Sequence, residues 1–206
     1  MTPSDAMTPT ARTTQPGRRP VTSRAEISAV AIDLFTAKGF EDTSVDDVAD
    51  AVGVARRTLF RYYPSKNAIA WGDFDSHLAE MRTLLAEIPD DLPIADALRR
   101  ALISFNDVPA TELAGHRRRM SLLLGVPALQ AHSMLMYAEW RQVIAEFCAH
   151  RLGLDEHAHL PQTIAWLCLG TALAAYDQWL THPDADLEAL IVAGSRTLAQ
   201  GVDALS

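Results

Sequence analysis

Arg56, Arg57 and Thr58 stand side by side, followed closely by Arg61, Tyr62 and Lys66. A guanidinium pairs bidentately with a guanine edge, and a threonine bonds a base edge or touches a thymine methyl. A lysine ammonium and a tyrosine hydroxyl suit phosphate oxygens, which position a duplex reader without specifying sequence. The chemistry on offer is recognition of double-stranded DNA. Arg56, Arg57 and Thr58 fit base readers, with Arg61, Tyr62 and Lys66 directed toward phosphates. Ser44 is a further phosphate candidate, because its hydroxyl and the amides around it open a helix N-terminus.

Such residues need a small rigid frame. Ser23-Arg24-Ala25-Glu26 is a capping box, in which a hydroxyl and a carboxylate three residues apart satisfy orphan amides. Ile27, Val30, Ala31, Leu34 and Phe35 follow at helical spacing, and Gly39 ends the helix. Ser44 to Asp47 opens a second helix with an apolar stripe of Val45, Val48, Ala49 and Val52, broken at Gly53. Ala55 to Tyr63 forms a third, stopped by Pro64. The second and third are too short to stand alone and must pack on the first. This is the helix-turn-helix plan, spanning Val45 to Tyr63, with the second of the pair entering the major groove. Leu59 and Val54 read as core, and packing is also the better account of Tyr63.

The net charge of −8 argues at first against nucleic acid. Its distribution does not. Residues 1–66 hold 9 Lys/Arg and 8 Asp/Glu, a balance of +1, whereas residues 67–206 hold 9 and 18, a balance of −9. A DNA-binding module needs a local basic face, not a basic whole. Residues 1–21, rich in Thr, Pro, Ser and Arg, read as a flexible arm. Arg18 and Arg19 in that arm are candidates for phosphate contact, or for lying in a minor groove. No apolar stretch follows them, so the arm is not a signal peptide.

The remaining chain reads as helices over 65–88, 94–107, 110–125, 127–152, 161–182 and 184–203, punctuated by prolines and Gly153. The expected fold is all-α: a three-helix DNA-binding domain at 22–66, then a roughly six-helix ligand-binding and dimerisation domain at 67–206. No apolar run reaches the ~18–20 residues of a membrane span. Cys148 and Cys168 form neither a disulfide framework nor a metal motif. A reducing cytoplasm fits both observations. His150, His157 and His159 straddle a helix end without convincing ligand spacing, so no metal is expected.

Gly170, Ala172, Ala174 and Ala175 allow close helix approach, and Leu187, Leu190, Ile191 and Leu198 line the final helix. Gly170, Ala174 and those four are expected to build a four-helix homodimer interface, although intramolecular packing produces the same pattern. Pocket candidates are Trp71, Phe74, Met81, Met120, Leu123, Met134, Trp140, Phe147, Trp166 and Tyr176. Met and aromatic residues suit an adaptable apolar cavity for a small hydrophobic ligand, while plain core accounts for each of them singly.

The stretch from Ile27 to Ile69 resembles the TetR-family DNA-binding domain. The matching elements are Gly39-Phe40, Thr43-Ser44-Val45, Val48-Ala49, Val52-Gly53-Val54, Thr58-Leu59-Phe60 and Tyr62-Tyr63-Pro64-Ser65-Lys66. One departure stands out: the family usually has a phosphate-contacting tyrosine where this chain has Phe60. Further blocks resemble the actinobacterial TetR-like regulators of the mycofactocin biosynthesis system. They are Trp71-Gly72-Asp73-Phe74-Asp75, His116-Arg117-Arg118-Arg119-Met120, Gly125 to Ser133, and Ala174 to Leu180. That resemblance implies a dimeric repressor of a redox-cofactor operon, responsive to long-chain acyl-CoA. Arginines bind phosphates well, so Arg117 and Arg118 become candidates for the CoA head. A solvated face paired with carboxylates is the plainer account of them. No other cofactor is implied.

Competing readings are a TetR-like regulator of efflux or fatty-acid metabolism, an activator, and a helical-bundle enzyme. The last would need a nucleophile–base pair or a carboxylate–histidine cluster inside the bundle, and no Gly-rich phosphate loop occurs. The protein is therefore expected not to be an enzyme.

Overall fold

The computed structural model of the chain describes residues 23–200, which form ten helices and no strand. Helices α1 (Arg24–Lys38), α2 (Val45–Val52) and α3 (Arg56–Tyr62) make the N-terminal unit. Both capping boxes form: Ser23 accepts from the Glu26 amide, and Ser44 from the Asp47 amide. Ile27, Ala31, Ile32 and Phe35 of α1 bury against Val48, Ala49 and Val52 of α2 and Leu59 of α3. Full burial of a side chain such as Leu59 stabilises by about 1.5–3 kcal/mol, which compensates for the short helices. Gly53 takes the left-handed conformation, φ 74°, that the tight turn between α2 and α3 requires. Tyr63 is buried and donates its hydroxyl to the Arg24 carbonyl at 2.7 Å, tying the end of α3 to the start of α1.

The single helix expected over 65–88 is two helices, α4 (Lys66–Trp71) and α5 (Phe74–Glu87), so seven helices follow α3. The break is at Gly72, with φ 70° and ψ −142°. Its cause is long-range. The Arg119 guanidinium from a later helix, α7 (Leu113–Gly125), occupies the space a Cβ at Gly72 would need. On the other side, Ser28 of α1 donates to the Ile69 carbonyl at 2.6 Å, satisfying the end of α4. Helix α4 is thus held between the N-terminal unit and α7.

Helices α6 (Ile94–Phe105), α7 (Leu113–Gly125), α8 (Pro127–Leu152), α9 (His159–Thr181) and α10 (Leu187–Gln200) complete the chain. Their ends differ from the expected ones by up to three residues, as fraying and local caps dictate. Helix α9 packs against both α8 and α10, and α5 against α6 and α8. The interior includes Leu98, Leu102, Leu123, Leu129, Trp140, Ile144 and Ile191. Cys148 and Cys168 are buried and free, and burial pushes their thiols up to about 11 and about 12. No described helix is long and apolar enough to cross a membrane.

Candidate nucleic-acid interface and effector site

Helix α3 presents Arg56, Arg57, Phe60 and Arg61 on its exposed side, with Thr58 half-buried among them. Arg56 pairs with Asp46 of α2 at 2.7 Å, and its guanidinium lies 5.5 Å from the centre of the Phe60 ring. Both members of that ion pair are more than half exposed, so it steers the side chain at a cost of no more than ~1 kcal/mol to break. Arg61 sits over the half-buried Tyr62 ring at 5.4 Å. Arg56, Arg57, Phe60 and Arg61 share the exposed face, while Thr58 and Tyr62 are half-buried.

Two of the expected phosphate contacts are committed elsewhere. The Ser44 hydroxyl is exposed but engaged with the Asp47 carboxylate and amide. Those Ser44 bonds, with Lys38 beside them, hold the Asp47 carboxyl down at about 2, so a negative charge already occupies this helix start. Lys66 is turned inward. Its ammonium donates to the Phe40 carbonyl at 2.8 Å and the Thr43 carbonyl at 3.1 Å, and lies 4.2 Å from the Phe40 ring centre. It fastens the α1–α2 loop rather than reaching outward. Arg18 and Arg19 lie outside the described residues.

In the larger part of the chain, Trp71 and Phe74 begin an aromatic path. Trp71 packs edge-on against Phe74 at 4.8 Å and Tyr137 at 5.6 Å, and Phe105 links Phe74 to Trp140 at 6.1 Å each way. Met81, Met120 and Leu123 are buried in the same core, and Phe147 packs against it. Met134 and Trp166 are not in the interior: they are 54% and 48% exposed, because they lie on the outward faces of α8 and α9. Trp166 is covered instead by the Arg141 guanidinium, 3.5 Å from its centre.

Tyr176 belongs to a buried polar chain. His116 Nε2 lies 2.8 Å from its hydroxyl, which donates to Asn106 Oδ1 at 2.8 Å. Burial, with Arg119 and His77 nearby, lowers His116 to about 4, so its imidazole is neutral. It therefore donates its Nε2 proton to Tyr176. Sequence reasoning did not find Asn106, Tyr137 or Phe105, since their partners lie tens of residues away.

The basic run on α7 does not act as one cluster. Arg117 stacks on Trp179 at 4.0 Å and bonds its carbonyl. Arg118 pairs with Asp33 of α1 at 2.9 Å. Arg119 packs against Gly72 at the α4–α5 break, where burial lowers its pKa. Arg117 and Arg118 line a surface groove of about 420 Å³ with Thr36, Ala114, Ser121 and Leu122.

Of the expected interface residues, Gly170 and Ala174 are exposed on α9, next to Leu167 at 49%. Leu187 and Ile191 are 6% and 0% exposed, packed within the protomer and unable to meet a partner. Leu190 and Leu198 are half-buried. Gly194 of α10 lets that helix close on α9: a Cβ there would stand 2.7 Å from Thr171 Cγ2. Among the described residues no three His, Cys, Asp or Glu are placed to hold a metal.

The N-terminal helices coincide with a known domain: residues 27–70 match the bacterial regulatory proteins of the tetR family. Residues 92–203 match the MftR C-terminal domain. The chain belongs to the TetR family of transcriptional regulators. A protein of Mycobacterium tuberculosis assigned as the mycofactocin biosynthesis transcriptional regulator MftR is 50% identical over 92% of this chain and 96% of its own. This TetR-family chain also shares its fold with Thermus thermophilus FadR in complex with lauroyl-CoA (TM-score 0.58, 22% identity, 87% of this chain and 94% of that one). A Bacillus subtilis FadR in complex with stearoyl-CoA aligns similarly (TM-score 0.61, 16% identity, 85% and 97%). These relatives and neighbours are regulators, not enzymes.

Proposed function

We propose that the chain is a cytoplasmic, ligand-responsive repressor that binds palindromic operator DNA as a homodimer. It controls a mycofactocin biosynthesis operon and leaves its operator when a long-chain acyl-CoA binds. Residues 22–66 read DNA and residues 67–206 bind the effector and the second protomer, with residues 1–21 as a basic arm. The observation that carries the pathway is the 50% identity, over nearly the full length of both chains, to the MftR relative. For the effector, support comes from the apolar aromatic interior and from the acyl-CoA bound by two proteins of the same fold. The Arg117 and Arg118 groove on α7 offers cationic groups for phosphates.

The experiment is titration of the protein onto a labelled fragment from upstream of its own genome's mycofactocin genes, with and without acyl-CoA of increasing chain length. Tight binding to a palindrome whose half-sites are one helical turn (~34 Å) or a multiple apart is expected, with release by long but not short acyl-CoA. A reporter fused to the same promoter should rise on deletion of the gene, as for a repressor. Failure to bind that fragment at low salt overturns the pathway. Binding that no acyl-CoA relieves overturns the effector.

A further inference from the structure

Two polar groups stand unpaired at one end of the aromatic path. The Trp71 indole Nε1 and the Tyr137 hydroxyl are both shut off from solvent, and neither has a hydrogen-bond partner. Their rings are in edge contact, 5.6 Å apart at 80°. Leaving a buried donor unmade is costly, and each such group in a native protein calls for an explanation. His132 Nε2 and Arg151 Nη1 also lack a partner, but other polar groups of this interior are matched. Tyr176 is bonded on both sides by His116 and Asn106. Asn106 also donates to the Leu102 carbonyl at 2.7 Å, and Ser133 to the Leu129 carbonyl at 2.8 Å. Ser133 is close enough to ease the burial-driven rise of the Tyr137 phenol, without taking its proton in a sound hydrogen bond.

We infer that Trp71 Nε1 and the Tyr137 hydroxyl form the recognition point for a neutral carbonyl oxygen, the thioester carbonyl of an acyl effector. This rests on the acyl-effector reading above and names the groups that would select it. An indole nitrogen can only donate, so the missing partner must be an acceptor. A carbonyl oxygen has two lone pairs and accepts two donors. The ring contacts of Trp71 and Tyr137 are with each other and with Phe74. Along α8, Arg141 is committed: its Nε donates to the Tyr137 backbone carbonyl at 3.3 Å and its guanidinium lies over Trp166. The one cation beside Trp71, Arg119, is taken up in filling the gap at Gly72, so a carboxylate brought here would lose its water for little return, whereas a neutral carbonyl needs no charge partner. Phe105 and Trp140 continue the apolar path an acyl chain would follow. Along the same α5–α8 seam, Asp75, Leu78, Arg82, Ala138, Glu139 and Gln142 line an open groove of about 380 Å³.

The test is calorimetric binding to the full-length protein of three probes: dodecanoyl-CoA, its thioether S-dodecyl-CoA, which lacks only the carbonyl oxygen, and dodecanoic acid. Wild type, Trp71→Phe and Tyr137→Phe are compared, since phenylalanine keeps a ring and removes the donor. Wild type should prefer the thioester to the thioether by about tenfold. Either substitution should shrink that preference several-fold by weakening the thioester alone; the melting temperature should be unchanged or raised for Tyr137→Phe and lowered for Trp71→Phe only by the packing volume lost. Equal binding of thioester and thioether by wild type overturns the carbonyl site while leaving the acyl effector intact. So does a preference that survives both substitutions, or a fall in melting temperature with no change in preference, as a bridging structural water would give. Tightest binding of the free acid overturns the neutral-carbonyl assignment. If operator binds but no CoA compound does, the acyl-effector reading fails and this site with it.

Discussion

Gly72 and Arg119 fill one space between them: the guanidinium of α7 lies where any β-carbon at residue 72 would project. Gly72 also sits at φ 70°, ψ −142°, a conformation glycine reaches without strain and other residues do not. Gly72→Ala should therefore destabilise the protein by about 1–3 kcal/mol, read as a fall of several degrees in melting temperature. Adding Arg119→Ala removes the collision but not the backbone strain. The double variant should be more stable than the sum of the single losses predicts. Strict additivity would mean that the two residues do not share the space.

Lys66 gives a prediction that separates a structural role from a DNA contact. Its ammonium closes the α1–α2 loop through the Phe40 and Thr43 carbonyls. Lys66→Met should lower stability by about 1–2 kcal/mol, since hydrogen bonds from a charged group are lost from a half-buried site. The slope of log affinity against log salt should stay unchanged. A phosphate contact would instead shift that slope by ~0.9 and leave the melting temperature alone.

These two residues mark where sequence was readable and where it was not. Both capping boxes, the stripe of Val48, Ala49 and Val52, and the Gly53 turn are local patterns, and α1 to α3 form within two residues of the expected positions. Lys66 follows the helix-turn-helix like a basic reader, yet its direction is set by two carbonyls more than twenty residues upstream. The α4–α5 break depends on Arg119, some fifty residues away, so nothing around Trp71-Gly72-Asp73 except the glycine signals it. The same holds inside the larger part. Aromatic type and spacing flagged Trp71, Phe74, Trp140 and Tyr176, but periodicity cannot tell which outward apolar residues, such as Met134 and Trp166, remain exposed.

His116 should make stability depend on pH. Burial first, then Arg119 and His77, depress it from 6.5 to about 4 in the folded state. Between those values the unfolded chain binds more protons, so stability rises with pH across that window and is lost as pH falls from 6.5 toward 4. The full loss amounts to about 3 kcal/mol. His116→Gln should flatten the dependence of the unfolding midpoint on pH over this range while keeping a donor toward Tyr176. A wild-type midpoint constant between pH 6.5 and 4 would show that the imidazole titrates normally.

Phe60 is 41% exposed on the outward face of α3, beside Arg56. Phe60→Tyr adds one hydroxyl at an exposed position with no packing to disturb. Operator affinity should tighten by several-fold through a new phosphate contact, with sequence preference and melting temperature unchanged. Binding measured on the cognate palindrome and on a scrambled duplex should improve alike. A gain confined to one sequence would place residue 60 against a base instead.

The outward face of α9 carries the last prediction. Trp166, Leu167, Gly170 and Ala174 recur there at helical spacing, while Ala165, Cys168, Leu169, Ala172, Ala175 and Tyr176 face inward. A second copy of α9 could approach closely over Gly170 and Ala174, burying the half-exposed Trp166 and Leu167 on each side of a two-fold. Ala174→Glu would set two carboxylates against each other at that contact. Sedimentation should show wild type as a dimer and Ala174→Glu as a monomer at micromolar concentration, with a folded helical spectrum. Operator affinity should fall in parallel, because each protomer reads only one half-site. A variant that stays dimeric would move the interface off α9, and the half-buried Leu190 and Leu198 side of α10 would be the next face to substitute.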